Sequence, residues 1–208
     1  MNDGVLQQAE HPTKATLVEC ARRLITRVGV DALTVEMVLA ESGVSKGSLY
    51  HHFKDFDALI ETVQVRCFSE FVDEGISFLE AALGSASSRE ELRANVAAVV
   101  PLAHDPTRAP HRIDRARILG SFGHRVGFSQ ALSREQQRLR TRGEQLIAEA
   151  QSKGWVNRSL SPRAMASFIL GFTFGRVLDD VCEEHVSAED WNEVVRQFMD
   201  SVLFAADD

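Results

Sequence analysis

The sequence lacks the long apolar runs that mark membrane-spanning or secreted chains. Its first residues, MNDGVLQQAEHPTK, are mostly polar, and no segment resembles a signal peptide or a transmembrane helix. We therefore expect a cytoplasmic location and no membrane partner. The chain has 208 residues, of which 44% are hydrophobic and 25% charged, enough for one large or two small globular domains with an ample core.

Cysteine is scarce, and its spacing does not fit a metal site. The three cysteines, Cys20, Cys67 and Cys182, are far apart and each falls in a helical pattern. This favours small core residues or free thiols, with a redox switch as the alternative. The seven histidines show no metal-ligand spacing either. We expect no metal ion and no cofactor.

Catalytic signatures are missing as well. The sequence has no glycine-rich phosphate loop, no HExxH zinc motif and no serine in a nucleophile elbow. The paired acids Asp179-Asp180 and Glu183-Glu184 are better explained as a solvated face or the rim of a dimer than as catalytic carboxylates. We therefore predict that the protein is not an enzyme. A small helical enzyme with no recognisable site is kept as an alternative.

Positive charge is in deficit, because 30 acids outnumber 23 lysines and arginines to give a net charge of −7. This balance argues against a protein that coats nucleic acid without regard to sequence, since such binding depends on many phosphate contacts. A specific binder with a small local footprint is compatible with it. Net repulsion from DNA would make the affinity of such a binder steeply sensitive to salt.

One stretch departs from this acidic background. Residues 34–53, TVEMVLAESGVSKGSLYHHF, predict a helix, a sharp turn and a short second helix. Thr34 is a good N-cap for the first helix, and Ser45 is a good N-cap for the second. Between them, Gly43 suits the left-handed backbone of a tight helix end.

The short second helix has two different faces. Leu49 and Phe53 are one turn apart and are predicted to face inward. No acid occurs between Ser42 and Lys54. The outward face is therefore free of negative charge and rich in hydrogen-bond donors, as a helix that enters a major groove requires. Its residues are Lys46, Gly47, Ser48, Tyr50, His51 and His52.

The run Gly-Val-Ser-Lys-Gly-Ser-Leu-Tyr-His-His-Phe-Lys, residues 43–54, and the Thr-Val-x-x-Val helix before it resemble the DNA-binding signature of the TetR (tetracycline-repressor) family. The resemblance covers about the first quarter of the chain. It implies an all-α fold in which residues 11–57 form a three-helix helix-turn-helix DNA-binding domain. Residues 58–208 would form a larger helical domain for ligand sensing and dimerisation.

The function that this resemblance implies is sequence-specific transcriptional regulation. The expected protein is a ligand-released repressor that binds a palindromic double-stranded DNA operator as a homodimer. A helical ligand-binding dimer without DNA binding is the alternative, and one departure from the family pattern favours it slightly. Phe56 stands where the family commonly has a phosphate-binding lysine. Either Lys54 takes over that contact or the protein has one contact fewer, with Phe56 packed under the domain.

Matching the family motif position by position assigns roles to individual residues. Lys46, Gly47, Ser48 and His51 are expected to face the groove. Phosphate contacts are expected from the remaining donors on this surface, and Ser45 completes the predicted DNA-binding set. The expected phosphate-binding residues are Thr34, Tyr50, His52 and Lys54.

Hydrophobic periodicity predicts further helices on both sides of this segment. The first is capped by Thr13 and runs to about Val28, with arginines that are solvated or salt-bridged rather than bound to DNA. A long helix, from about Asp57 to Leu83, connects the two predicted domains. A capping box that begins at Ser88 opens the next helix.

The segment that follows is less regular. Prolines between residues 101 and 110 predict an irregular connection, followed by a glycine-weakened helix from His111 to His124. Ser133 is predicted to open a helix that Gly154 ends. The arginines between residues 134 and 142 are expected to form a solvated face, with a second DNA contact as the alternative.

The last two predicted helices, at about residues 162–184 and 188–204, carry more apolar surface than one subunit is expected to cover. Gly171 and Gly175 lie four residues apart on one side, which permits close helix–helix contact. In the TetR family the corresponding pair forms a four-helix bundle with a second subunit, so we expect a homodimer. The predicted interface consists of Phe168, Gly171, Phe172, Gly175, Leu178, Trp191, Val195, Phe198 and Val202.

The resemblance also implies an effector, and the sequence suggests only that it is small and apolar or amphipathic. A ligand that prefers a different tilt of the long helix would change the distance between two recognition helices and release DNA. The candidate pocket residues are aromatic or polar side chains at helical spacing, with plain core packing as the alternative. They are Arg117, Phe122, His124, Phe128, Phe168, Phe172 and Arg176.

Overall fold

The computed structural model describes residues 11–123 and 125–204. Within these ranges the chain is all-helical and has no strand, which confirms the predicted fold class. None of the described helices has the length and apolar character needed to cross a membrane. The α-helices are α1 (Pro12–Val28), α2 (Val35–Ser42), α3 (Lys46–His52), α4 (Phe56–Leu79), α5 (Arg89–Ala103), α6 (Ala109–Gly120), α7 (Val126–Ser152), α8 (Pro162–Gly175), α9 (Val177–Asp180) and α10 (Ala188–Val202).

The chain divides into two compact units between Cys67 and Phe68, within α4. This division lies later than the boundary predicted at residue 57. The reason is that Leu59 and Val63, in the first turns of α4, are buried in the hydrophobic core of the first unit. Apolar burial therefore joins the start of α4 to the N-terminal helices.

The first unit has a core built mainly from the inward faces of α1, α2 and α3. Its centre is fully enclosed, with Leu17, Leu24 and Leu49 at most 1% exposed. One predicted cap was wrong. Pro12 starts α1, where its missing N–H costs no hydrogen bond, and the N–H of Thr13 donates to Nδ1 of His11 at 3.3 Å.

The cysteines in the described residues are free thiols, as one of the two interpretations predicts. Cys20 is buried in the core of the first unit, and burial, followed by the Glu41 carboxylate, raises the pKa of its thiol. Cys67 is half-buried and Cys182 is exposed. A raised pKa disfavours the reactive thiolate, so Cys20 acts as a small core residue.

Three predicted boundaries in the second unit were wrong. Pro101 lies inside α5, because burial of Leu92 and Val96 on the same helix outweighs the loss of one backbone donor. A 3₁₀ turn at Pro106–Arg108 leads directly into α6, which ends at Gly120 rather than at residue 124. α7 begins at Val126, a full two turns before Ser133, because buried residues extend its apolar face upstream: Phe128 and Leu132.

The C-terminal helices begin where the sequence predicts. Ser161 and Ser187 cap α8 and α10, accepting hydrogen bonds from backbone N–H groups three residues ahead. α8 is shorter than predicted, because the chain turns at Arg176. The buried guanidinium of Arg176 lies 4.5 Å from the centre of the Trp191 ring, against α10.

The paired acids at residues 179 and 180 are not a solvated face. The side chain of Asp180 is 5% exposed and receives two hydrogen bonds from Arg112, at 2.6 and 2.8 Å. Asp179 lies 3.0 Å from Arg176. Both carboxylates are structural partners of buried arginines, whereas Glu183 and Glu184 are exposed.

Candidate functional site

Side-chain caps and one glycine shape the segment from α2 to α3. The N–H of Met37 donates to Oγ1 of Thr34 at 3.3 Å, and the N–H of Ser48 donates to Oγ of Ser45 at 3.2 Å. Gly43, between the helices, has φ of 68°, a left-handed conformation that a residue with a Cβ adopts only at a cost. The two predicted caps and the predicted glycine turn are confirmed.

α3 is anchored on one side and free on the other. Leu49 and Phe53 are 0% and 4% exposed in the core of the first unit. Tyr50 projects outward and is 42% exposed. The other predicted DNA-binding positions are also on the surface, with Ser48 and His52 partly covered: Thr34, Ser45, Lys46, Gly47, His51 and Lys54 are exposed.

Packing within the chain does not explain why residue 47 is a glycine. A Cβ built at this position would meet no atom within 4 Å, and the backbone does not have a positive φ. Neither the turn nor the core therefore requires glycine here. The free space lies on the exposed side of α3, where a partner surface can approach the backbone closely.

The acids near α3 are engaged by arginines of α1. Arg27 contacts Glu41 at 2.8 Å and Arg23 contacts the same carboxylate at 3.5 Å. Arg22 pairs with Glu19 at 2.9 Å. These arginines are salt-bridged, as predicted. The pairs also neutralise Glu41, the acid that immediately precedes the acid-free segment.

Three histidines meet at the end of α3. The His52 ring lies 4.7 Å from the His11 ring and 5.1 Å from the His51 ring, measured between centroids. Desolvation, and then the neighbouring His11 and His51 charges, lower the pKa of His52. A neutral His52 is therefore favoured at neutral pH, and it can still donate an N–H to an acceptor.

Phe56, which stands where the family commonly has a phosphate-binding lysine, packs under the domain, as one of the two alternatives predicts. It is partly buried against the core of the first unit. Asp55 accepts from the N–H of Ala58 at 2.8 Å and so supports the start of α4. Lys54, immediately before, is exposed. A cation close to the start of α4 is therefore still available, although Phe56 itself cannot contact a phosphate.

Residues 17–63, which include all of α2 and α3, most of α1 and the start of α4, match the family described as Bacterial regulatory proteins, tetR family. This N-terminal segment of the chain therefore resembles the DNA-binding domain of TetR-family regulators. Members of this family are DNA-binding transcriptional regulators, and α2 and α3 form the helix-turn-helix of this chain. The predicted resemblance to the family and the predicted class of function are confirmed.

Individual relatives resemble the chain over most of its length. It is 22% identical to the HTH-type transcriptional regulator UidR of Escherichia coli (strain K12), covering 99% of this chain and 100% of UidR. It is 28% identical to the transcriptional regulator AcuR of Cereibacter sphaeroides, covering 76% of this chain and 71% of AcuR. A solved TetR-family regulator from Rhodococcus sp. shares the fold, with a TM-score of 0.63, 22% identity and coverage of 92% and 99%.

The second unit of the chain contains a cavity of about 150 Å³. Its walls come from α4, α5, α6, α7, α8 and the end of α10. Phe172 is the one residue of the predicted pocket that lines it. The other described residues of the predicted set do not line this cavity, because periodicity within one helix does not tell which helices adjoin.

The other predicted pocket residues are dispersed. Arg117 is exposed and pairs with Asp114 at 2.7 Å, and Phe122 is exposed in the turn after α6. Phe128 is a core residue of α7, and Phe168 is 52% exposed on α8. Arg176 is buried beside Trp191, outside the cavity. His124 lies outside the described residues.

Several polar cavity residues were not predicted. Three arginines recur along one side of the 3₁₀ turn and α6, at spacings of four and three residues. That spacing was the available signal, but the segment between residues 101 and 110 was predicted to be irregular, so no helical spacing was assigned to Arg108. The polar lining side chains are Glu74, His104, Arg108, His111, Arg112, Arg115 and Thr173. Among the described residues, no group of three or more His, Cys, Asp or Glu side chains could hold a metal ion.

The predicted interface helices expose apolar side chains. Leu178 and Val194 are 72% and 69% exposed, and the rings of Phe168 and Phe198 stack 4.9 Å apart. Val195 was predicted to lie in the dimer interface, but it is 5% exposed and packs in the core of its own subunit. The remaining predicted interface residues are partly or fully exposed: Phe168, Gly171, Phe172, Gly175, Leu178, Trp191, Phe198 and Val202.

Proposed function

We propose that this protein is a homodimeric repressor of the TetR family that binds a palindromic DNA operator and is released by a small effector. The observation that carries the proposal is the exposed, acid-free face of α3. Lys46 is exposed there and forms no ion pair with any residue in the described part of the chain. A chain with net charge −7 has thus kept a local surface free for phosphates.

Specific roles follow for the residues on this face. Lys46, Gly47, Ser48 and His51 enter the major groove, where side-chain donors distinguish base edges. The open space beside Gly47 lets the DNA approach the helix backbone. Contacts to phosphates fix the orientation of the helix but carry no direct sequence information. They come from Thr34, Ser45, Tyr50, His52 and Lys54.

Dimerisation through the C-terminal helices is supported by the apolar side chains that one subunit leaves uncovered. Leu178 and Val194 are largely exposed on successive C-terminal helices, and the rings of Phe168 and Phe198, one on α8 and one on α10, stack 4.9 Å apart. A soluble monomer rarely leaves a large contiguous apolar patch in water. A second copy of the same surface would bury it, as expected for a two-fold interface.

Release by an effector is supported by the continuity of α4. The helix begins with Leu59 and Val63 in the core of the helix-turn-helix unit, and later contributes Phe71 and Phe78 to the cavity wall. A ligand that prefers another tilt of α4 would therefore move α3. Two recognition helices reach successive major grooves only when they stand about 34–36 Å apart. We assign residues 11–57 to DNA binding and residues 58–208 to sensing and dimerisation.

The test is fluorescence anisotropy of the purified protein with DNA from upstream of its own gene, followed by a wider operator selection. The double variant Lys46→Ala/His51→Ala is compared with Arg134→Ala, which removes an exposed charge from α7. Saturable, competitor-resistant binding that the double variant loses and Arg134→Ala retains supports the proposal. Equal loss in both would indicate either a general charge effect or the alternative second DNA contact by the arginines between residues 134 and 142. Absence of any selected sequence favours a ligand-binding dimer without DNA binding.

A further inference from the structure

The cavity of about 150 Å³ in the second unit is lined by one positive charge that no acid among the described residues balances. Three arginines line it, and two of them are paired. Arg108 contacts Glu74 at 2.5 Å. Arg112 donates two hydrogen bonds to Asp180, at 2.6 and 2.8 Å. These two pairs are neutral overall, which leaves Arg115 as the uncompensated cation.

Arg115 is held in place without a carboxylate. Its guanidinium lies 5.8 Å from the Phe68 ring centre and 5.7 Å from that of Phe174. Its Nη2 donates to Oε1 of Gln136 at 3.2 Å, while its buried Nε has no hydrogen-bond partner. Desolvation lowers the pKa of Arg115, but arginine keeps its charge in proteins. Within the described residues, no carboxylate lies at ion-pair distance from it.

His104, which also lines the cavity, supplies a second atom without a hydrogen-bond partner among the described residues. It is 3% exposed, and its Nδ1 lies 2.9 Å from the carbonyl oxygen of Val100. Because a carbonyl only accepts, Nδ1 carries the proton. Burial, and then the neighbouring Arg112 and Arg176 charges, lower the pKa of His104 to about 4, against the hydrogen bond to Val100. Nε2 of the neutral ring is therefore an acceptor, and no donor in the described part of the chain reaches it.

The cavity is small, and most of its other lining side chains are apolar, with His111 and Thr173 as polar exceptions. Phe71, Leu139, Phe172 and Phe174 contribute its walls, and its volume is about 150 Å³. An apolar cavity of this size accommodates a molecule on the scale of one benzene ring. A buried acceptor without a hydrogen-bond donor and a buried cation without a balancing acid each carry a desolvation cost that a ligand with matching groups would relieve.

We propose that this cavity binds a small organic acid with an apolar body, whose anionic group pairs with Arg115 and whose hydroxyl donates to Nε2 of His104. The proposal rests on the proposed function only in identifying this acid as the releasing effector. Binding of the acid to the cavity is a separate claim, which can be measured on the purified protein without DNA.

The experiment uses four matched probes: benzoate, 4-hydroxybenzoate and 3-hydroxybenzoate, with neutral benzyl alcohol as the uncharged control. Isothermal titration with the full chain at pH 7 measures their dissociation constants. We expect benzoate to bind at least tenfold more tightly than benzyl alcohol, and one hydroxybenzoate to bind more tightly than benzoate. Arg115→Gln should abolish the preference for the acid. The exposed-arginine control Arg117→Gln, two residues away on α6, should retain it.

Two further measurements keep the outcomes distinct. Thermal unfolding establishes that Arg115→Gln is folded, and His104→Phe tests whether the hydroxyl preference depends on Nε2. Benzyl alcohol binding as tightly as benzoate, no binding of any acid probe, or a preference that survives Arg115→Gln would each overturn the proposal. Tight acid binding that leaves operator affinity unchanged would overturn the release mechanism but not the cavity assignment. Operator binding without binding of any acid probe would support the proposed regulator function and overturn the cavity proposal.

Discussion

At the scale of single residues, glycine occurs at two positions of the helix-turn-helix segment for different physical reasons. Gly43 ends α2 with φ of 68°, so the turn itself requires a residue without a Cβ. Gly47 has ordinary helical backbone and open space around its Cα. The first glycine serves the fold, and we attribute the second to contact with DNA.

This difference predicts opposite effects of the same substitution. Gly47→Ala should raise the free energy of unfolding by about 0.5–1 kcal/mol, because alanine favours the helix. It should nevertheless weaken operator binding, because the added methyl group lies on the α3 face. Urea unfolding and anisotropy on the same preparations measure both effects. Gly43→Ala should instead destabilise the protein. Unchanged operator affinity of Gly47→Ala would remove Gly47 from the proposed interface.

His104 predicts a pH dependence of stability. The unfolded chain binds a proton at this residue near pH 6.5, whereas the folded protein does so only near pH 4. The contribution of neutral His104 is therefore fully present above pH 6.5 and is lost as the pH falls to about 4. The loss amounts to about 3 kcal/mol. In urea unfolding across this range, His104→Gln should lose less stability than the wild type. If the free energy of unfolding fell equally with pH in the wild type and in His104→Gln, a buried neutral imidazole at residue 104 would be contradicted.

At the scale of elements, a buried ion pair fixes α6 to α9. The side chains of Arg112 and Asp180 are 10% and 5% exposed, and the guanidinium also donates to the carbonyl of Asp105 at 3.1 Å. A buried pair contributes little net stability compared with apolar packing, but breaking it leaves one charge without a partner. The pair therefore specifies how the short α9 is placed against the cavity wall.

We predict that Arg112→Met destabilises the protein by about 3–5 kcal/mol, because it leaves the Asp180 carboxylate buried and unpaired. The double variant Arg112→Met/Asp180→Leu should recover most of this loss, since neither charge is then buried alone. A double-mutant cycle by urea unfolding measures the coupling. The Arg117→Met variant, which breaks an exposed pair with Asp114, should change stability by less than about 1 kcal/mol. If the stability losses of the two single variants simply added up in the double variant, the coupling between Arg112 and Asp180 would be contradicted.

At the scale of the whole molecule, the proposed palindromic operator requires two copies of α3. Val194→Glu places a charge on the exposed apolar surface of α10 and should shift the protein towards monomers in light scattering at micromolar concentration. Operator affinity should fall with it, because one α3 contacts only half of the site. Val126→Glu, an equally exposed valine at the start of α7, is the control. A wild-type protein that is already monomeric would contradict the homodimer.

The helix-turn-helix was predictable because its determinants are local. Thr34, Gly43 and Ser45 each act on backbone groups within a few residues, so their spacing fixes the caps and the turn. The α7 boundary was not predictable in the same way. Ser133 imitates a cap, but burial of Phe128 and Leu132 against other helices extends α7 through it.

The lining of the cavity was even less predictable from local sequence than the start of α7. Arg117 and Arg115 are two residues apart on α6 and have the same chemistry, yet one is solvated and the other faces the cavity. Which side of α6 is covered depends on how α4, α7 and α8 pack against it. No local signal carries that information, because residues distant in sequence supply the walls.

The sequence by itself determined the helical class, the resemblance to the TetR family and the acid-free outward face of α3, since caps, periodicity and the absence of acids between Ser42 and Lys54 are local properties of the chain. Only the tertiary structure decided which cations are neutralised. Arg108 and Arg112 find acids, whereas Arg115 meets aromatic rings and an amide. Charge compensation depends on distance in space, and helix packing sets that distance.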